Sequence, residues 1–227
     1  MPGLLLALDG LDGCGKSTQL ALLADAMADR FPGRERVYVK HPHTDGVAGA
    51  IRALILGHRV GRLYDDEDPT VLLEAGQLPT PDARHYLFLA EVAETHATVI
   101  DPALQRDAIV FYDRTFWTTN LAFRYAEGVA SLGEMVMRNM EAEKVAGYPD
   151  WCGIIDVPVE TARQRMLHRS GEASHFDRAP IATMALRREG FTYAEGLYDW
   201  AYRIDGEGDA ATVNARVLAS LDAHFGW

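Results

Sequence analysis

Leu4-Leu5-Leu6-Ala7-Leu8-Asp9-Gly10-Leu11-Asp12-Gly13-Cys14-Gly15-Lys16-Ser17-Thr18-Gln19 is an unbroken apolar run followed by a glycine-rich turn, a lysine and hydroxyl residues. So short and wholly apolar a run is what a strand buried on both faces requires. Gly10 to Ser17 match G-x-x-x-x-G-K-[ST]. Leu20, Leu23, Met27 and Phe31 then recur at spacings of three and four, so the loop opens into a helix that stops near Pro32-Gly33. Strand, loop and helix in that order are the context a phosphate-binding loop needs. Glycines let the backbone curl so that successive N–H groups converge on a phosphate, and the helix N-terminus adds partial positive charge. Lys16 then reaches the phosphate oxygens and Ser17 is placed to ligate Mg²⁺. The segment predicts an ATP site at Asp12, Gly13, Cys14, Gly15, Lys16, Ser17 and Thr18, with Lys16 at the solvent-facing mouth of the loop.

Outward from this segment, apolar runs alternate with helical patterns, the signature of a parallel sheet wrapped by helices. Strands are predicted over Leu4 to Leu8, Val37 to Val39, Ala108 to Tyr112, Cys152 to Ile155 and Trp200 to Ile204. Helices are predicted over residues 46–56, 82–104, 133–146, 160–169 and 182–197, and a last one carries Val213, Val217 and Leu221 behind Asp209 as its cap. The fold class is therefore α/β. Between Gly57 and Pro81 the chain holds Asp65-Asp66-Glu67-Asp68-Pro69, which reads as a solvated loop with one short helical piece.

With 227 residues, 48% of them hydrophobic, the chain suits one compact domain with a buried sheet. A net charge of −11 disfavours bulk attraction to polymeric nucleic acid or an anionic membrane, so any anionic substrate must meet a local cluster of cations. Neither a long apolar span nor a basic leader stands out, which predicts a cytoplasmic protein. Cys14 and Cys152 form no disulfide framework and no CxxC pattern.

Two further groups carry chemistry. The run Ala108-Ile109-Val110-Phe111-Tyr112 ends in Asp113-Arg114, where a parallel sheet presents its carboxyl ends. A carboxylate there suits Mg²⁺ or its waters, and a neighbouring arginine suits a bidentate grip on phosphate. Arg163, Arg165, Arg169 and Arg178 are concentrated around the break at Ser170-Gly171, with Arg165 and Arg169 on one helical face. Mobile arginines that close over transferring phosphates are a recurrent device.

Asp9 to Gln19, Asp113-Arg114, Pro149-Asp150 before a strand ending in Asp156-Val157, and the arginine-rich segment with Asp177-Arg178 together resemble the thymidylate kinase family. The likeness extends over nearly the whole chain, including Lys40-His41-Pro42 and the helix around Ile51-Arg52. It implies a P-loop NTPase fold, a five-stranded parallel sheet flanked by helices with an arginine-rich lid at about residues 170–180, in a single domain over 1–227. It also implies ATP-dependent phosphorylation of dTMP or a related nucleotide, Mg²⁺, and a homodimer. By the resemblance, Lys16 and the loop amides hold ATP phosphates, Asp12 lies near the acceptor sugar, Arg114 binds the acceptor phosphate and Phe88 stacks on its base. Lys40 and His41 suit the acceptor anion, and Ser17 and Asp113 the metal. Gly13 stands where some family members carry a catalytic arginine, which leaves Arg165, Arg169 and Arg178 to supply one.

One departure bears on the base. Family members read Phe-x-x-x-Arg where this chain has Phe88-Leu89-Ala90-Glu91-Val92, the arginine bonding the thymine edge. Either another group, such as His41, His43 or Glu91, reads that edge, or the acceptor is a different or modified nucleotide. A regulatory GTPase is disfavoured, since none of Asn120, Asn139 and Asn214 precedes a lysine. A deoxynucleoside kinase would use a carboxylate base at its neutral acceptor hydroxyl, where this chain has Lys40-His41-Pro42-His43. A non-catalytic nucleotide-binding module would have no use for Asp113, Arg114 and the lid arginines.

Overall fold

The computed structural model describes residues 2–58, 60–61, 71–73, 76–168 and 179–227. The first strand, β1 (Leu4–Gly10), is buried at every residue because it has a neighbour on each edge and helices on each face. Strands β2 (Arg36–Lys40), β5 (Ile109–Asp113), β6 (Trp151–Asp156) and β7 (Ala201–Asp205) complete a five-stranded sheet in the order β2-β5-β1-β6-β7, with every pairing parallel. All the predicted strands are present. The edge strands β2 and β7 are partly exposed, whereas the inner three are almost continuously buried.

Helices α1 (Lys16–Arg30) and α9 (Ala210–Phe225) pack together on one face, tied by the Gln19 amide donating to the Ala210 carbonyl at 2.9 Å. Asp209 caps α9 as its side chain accepts from the Thr212 N–H at 2.7 Å. Helices α2 (Gly46–Ile55) and α3 (Pro81–Thr95) pack on each other, and α3 begins with Thr80 as cap and Pro81 in its first turn. The helix predicted to run through residue 104 is interrupted by a π-helical turn, His96–Ile100, before α4 (Asp101–Gln105). Pro102 explains the interruption, since it cannot donate to the preceding turn and crowds the carbonyl four residues back.

The helix that the sequence pattern did not reveal is α5 (Phe116–Ala126), which follows β5 directly. Nine of its eleven residues, Phe116 to Arg124, are buried, so it presents no polar stripe and shows no amphipathic period. It packs on α8 (Ile181–Leu197), and Gly190 of α8 lies so close that an added Cβ would sit 2.6 Å from the Ala122 Cα. Helix α6 (Leu132–Asn139), closed at its start by a Ser131/Glu134 capping box, and α7 (Val159–Leu167) complete the shell. In the 57–81 stretch the described residues form two short antiparallel strands, β3 (Val60–Gly61) and β4 (Val71–Leu73), and no helix before α3 starts at Pro81. Arg169, Arg178 and most of the predicted lid lie outside the described residues.

Candidate active site

At the carboxyl end of β1 the chain turns through Gly10, Gly13 and Gly15 at φ of 126°, 82° and 103°. These left-handed values let three glycines reverse the backbone within one loop and start α1 at Lys16. Lys16 is not at the mouth of the loop as expected: it is 7% exposed, and its ammonium donates to the carbonyls of Leu11 at 2.8 Å and Gly10 at 3.2 Å. Gly13 is packed as well as turned. A Cβ there would sit 2.3 Å from the Ala162 carbonyl oxygen of α7, so an arginine at this position needs α7 to move.

Sheet register sets the second half of the site. Asp113, the last residue of β5, pairs with Leu8 of β1 and Lys40 of β2, which brings the Asp-Arg pair and the end of β2 beside the loop. Arg114 follows at φ 73°, a left-handed conformation that costs a non-glycine residue about 1–2 kcal/mol. Its guanidinium holds that turn in place. Nη1 donates to Asp9 Oδ1 at 3.1 Å and the Gly10 carbonyl at 2.9 Å, and Nη2 to Asp12 Oδ1. Burial alone would raise the Asp12 pKa, but Arg114, with Lys16 and Arg187, overrides it and holds Asp12 at about 2.

Asp9 is the hub that sequence reasoning missed. It is wholly buried and accepts from the Gly10 N–H at 2.9 Å, the Thr115 N–H at 3.1 Å, the Thr119 hydroxyl at 2.9 Å, the Thr118 hydroxyl and Arg114. One carboxylate thus joins β1, the turn after β5 and the first turn of α5. Its place just before the loop glycine was the available signal, but all its partners except Gly10 lie more than a hundred residues away.

A cavity of about 650 Å³ opens over these groups. Of the predicted residues it brings together Asp12, Gly13, Gly15, Lys16, Ser17, Thr18, Lys40, His41, Phe88, Asp113, Arg114 and Arg165. Arg165 donates to the Cys14 carbonyl at 3.2 Å and the Gly206 carbonyl at 3.4 Å, which ties α7 to the loop. Arg163 instead donates to the Ala179 carbonyl at 2.7 Å, and α7 ends at Leu167 rather than running to Arg169. Cys14 and Val92 do not line the cavity. The Cys14 side chain is buried beneath the loop, with burial pushing its thiol up, and Val92 is 0% exposed in the apolar core. Residues that sequence reasoning did not assign join the lining: Arg52 of α2 and Thr119, Asn120, Phe123, Arg124 and Glu127 on or just past α5.

Glu91 is fully buried and does not line the cavity. Its carboxylate accepts from the His43 N–H at 2.7 Å and the Thr95 hydroxyl at 2.8 Å, and lies 2.8 Å from His41 Nδ1. Burial would raise it, yet His41 and these hydrogen bonds keep Glu91 below the ordinary carboxylate value. Glu91 therefore orients His41, whose ring centroid lies 5.6 Å from that of Phe88.

A family profile described as thymidylate kinase matches residues 8–191, most of the chain and all of the elements that build the cavity. The chain belongs to the thymidylate kinase family. That membership makes it a kinase-class phosphotransferase. It is 31% identical to the thymidylate kinase of Chromohalobacter salexigens over 97% of this chain and 95% of that one. It is 29% identical to the probable thymidylate kinase of Thermococcus kodakarensis over 98% and 99% of the two chains. The crystal structure of thymidylate kinase from Ehrlichia chaffeensis shares the fold, with a TM-score of 0.70 at 20% identity over 98% of this chain and 99% of that one.

Proposed function

We propose that this member of the thymidylate kinase family transfers the γ-phosphoryl group of ATP to the phosphate of thymidylate. The observation that carries the reading is that one cavity joins the phosphate loop, the Asp113-Arg114 turn and the Phe88 ring. Six cationic side chains line it against three carboxylates, in a chain whose net charge is −11. Local excess positive charge of this kind suits two phosphorylated substrates. Lys16 and the loop N–H groups take the β- and γ-phosphates of ATP. Arg114 takes the acceptor phosphate, with Asp9 and Asp12 fixing its fork, and Arg52 and Lys40 add charge on the same side. The acceptor phosphate is already anionic, so the step needs positioning and charge neutralisation and no general base.

Ser17 and Asp113 suit Mg²⁺. Both line the cavity, and Asp113 Oδ1 is buried with no hydrogen-bond partner among the described residues. Mg²⁺ bound by one carboxylate, one hydroxyl and substrate phosphates needs no all-protein cage. When bound, Mg²⁺ would neutralise charge on the β- and γ-oxygens. Family resemblance makes Arg165, Arg169 and Arg178 the candidates for the arginine that Gly13 leaves out of the loop, with a lid at about residues 170–180. Family resemblance supports a single domain over 1–227 that works as a homodimer in the cytoplasm, which sedimentation equilibrium would test for the dimer. No helix among the described residues is long and apolar enough to cross a membrane.

The deciding experiment is a coupled ADP-release assay with ATP, Mg²⁺ and the common ribo- and deoxynucleoside monophosphates. Thymidylate is expected to give the highest kcat/KM. Absence of turnover with every monophosphate, while a deoxynucleoside is phosphorylated, would overturn the reading.

A further inference from the structure

Beside Phe88 lies a buried pair that the transfer step does not use. Neither Glu91 of α3 nor His41, just past β2, exposes its side chain, and His41 Nδ1 is 2.8 Å from Glu91 Oε2. The other carboxylate oxygen, Oε1, accepts from the His43 N–H and the Thr95 hydroxyl. The His41 N–H donates to the Asp113 carbonyl at 2.9 Å, which ties this turn to the end of β5 beside Arg114. The rings of Phe88, Tyr112 and Phe116 stand 5.6, 6.3 and 6.1 Å from the imidazole, so it is packed in place against Glu91.

An ionised carboxylate shielded from water needs a counter-charge, and the His43 N–H and Thr95 hydroxyl supply dipoles only. Three groups that can carry positive charge act on Glu91: His41, Arg52 of α2 and His96 of the π-helical turn. His96 is engaged by Asp101 at 3.2 Å. Tyr112 of β5 is held neutral by burial, and Phe116 of α5 has no charge. The choice falls between His41 and Arg52. Only His41 is in contact, since no ion pair joins Arg52 to Glu91. Arg52 instead lines the cavity on the acceptor side, with its Nε buried and without a hydrogen-bond partner among the described residues.

We propose that His41 carries the positive charge that neutralises Glu91, and so leaves Arg52 to the acceptor phosphate. His41 is then a positioning residue that acts through Arg52. Were it neutral, Glu91 would draw on Arg52 and set a net negative charge beside a dianionic acceptor. The ATP phosphates on the loop would be little affected. The inference rests on the functional reading above.

The test is KM for dTMP, KM for ATP, kcat and thermal melting for wild-type enzyme, His41→Gln, Glu91→Gln and the double variant. Glutamine is close to imidazole in size and still donates to Glu91, so His41→Gln removes the charge and keeps the contact. KM for dTMP is expected to rise about tenfold in His41→Gln, with KM for ATP within about twofold of wild type. Adding Glu91→Gln is expected to reverse most of that rise, because no carboxylate then competes for Arg52. A pair that only braces the fold predicts a double variant at least as impaired as His41→Gln, and that result would overturn the proposal. Should the variants unfold, wild-type enzyme between about pH 7 and 9 decides. The second ionisation of dTMP, with a pKa of about 6, is largely complete there and would lower KM. Loss of the His41 proton acts in the opposite sense, so KM for dTMP should rise with pH while KM for ATP stays level, and a flat dTMP profile rejects the proposal. Wild-type enzyme inactive on every monophosphate would instead fail the functional reading itself.

Discussion

Lys16 spends its ammonium on two loop carbonyls, 2.8 Å and 3.2 Å away, and little of it is exposed. Its removal leaves the loop glycines and their turns in place, so Lys16→Ala is expected to keep a near wild-type melting profile. Turnover is expected to drop by about three to five orders of magnitude, the range of a phosphate-clamping cation. Retention of a tenth of the activity would remove Lys16 from its role. Gly13→Arg is expected to lower both Tm and turnover, because its Cβ would overlap the Ala162 carbonyl and its φ is left-handed. Asp12 gives a pH signature. Its folded pKa of about 2 lies below the unfolded value, so it stabilises the fold above about pH 4, and that contribution is lost as pH falls through 2. Asp12→Asn should remove this acid-side slope from urea titrations run between those limits.

Helix α5 is the element on which the cavity depends, and its position is set by a contact that a single methyl would fill. Gly190→Ala would gain about 1 kcal/mol of helix propensity. It would also place a Cβ against the Ala122 Cα, where backbone cannot give way as a side chain can. Overpacking of that kind costs about 1–3 kcal/mol. A lower Tm and a raised KM for the acceptor, with KM for ATP little changed, are the expected result, and a stabilised variant with normal acceptor KM would refute it. The same helix marks the limit of what the sequence discloses. The sheet, the phosphate loop and the Asp113-Arg114 turn were legible because each is a local pattern: an apolar run, a glycine spacing, a strand end. Helix α5 is buried almost throughout, so no 3.6-residue period sets it off, and with it Thr119, Asn120, Phe123 and Arg124 went unassigned. Asp9 and Glu91 were legible as residues, yet their partners are set by sheet order and helix packing. Val92 was expected at the acceptor and lies in the core, which also makes Val92→Arg a burial of charge.

On the scale of the whole molecule, an acidic surface encloses a cationic cavity. Raising KCl toward 1 M, where screening shortens to about 3 Å, is expected to raise KM for both nucleotides severalfold and to change kcat less. A salt-independent KM would argue against charge as the source of binding. The sheet order has a different consequence, for synthesis. Strand β1 leaves the ribosome before the other strands of the sheet, yet its neighbours are β5, with Leu4 paired to Ile109, and β6, with Leu6 paired to Trp151. At about 5–20 residues per second, the most apolar segment of the chain waits many seconds for its first partner and longer for its second. During translation that segment is a natural client for chaperones, and the phosphate loop it carries takes shape only when the second half of the chain has arrived.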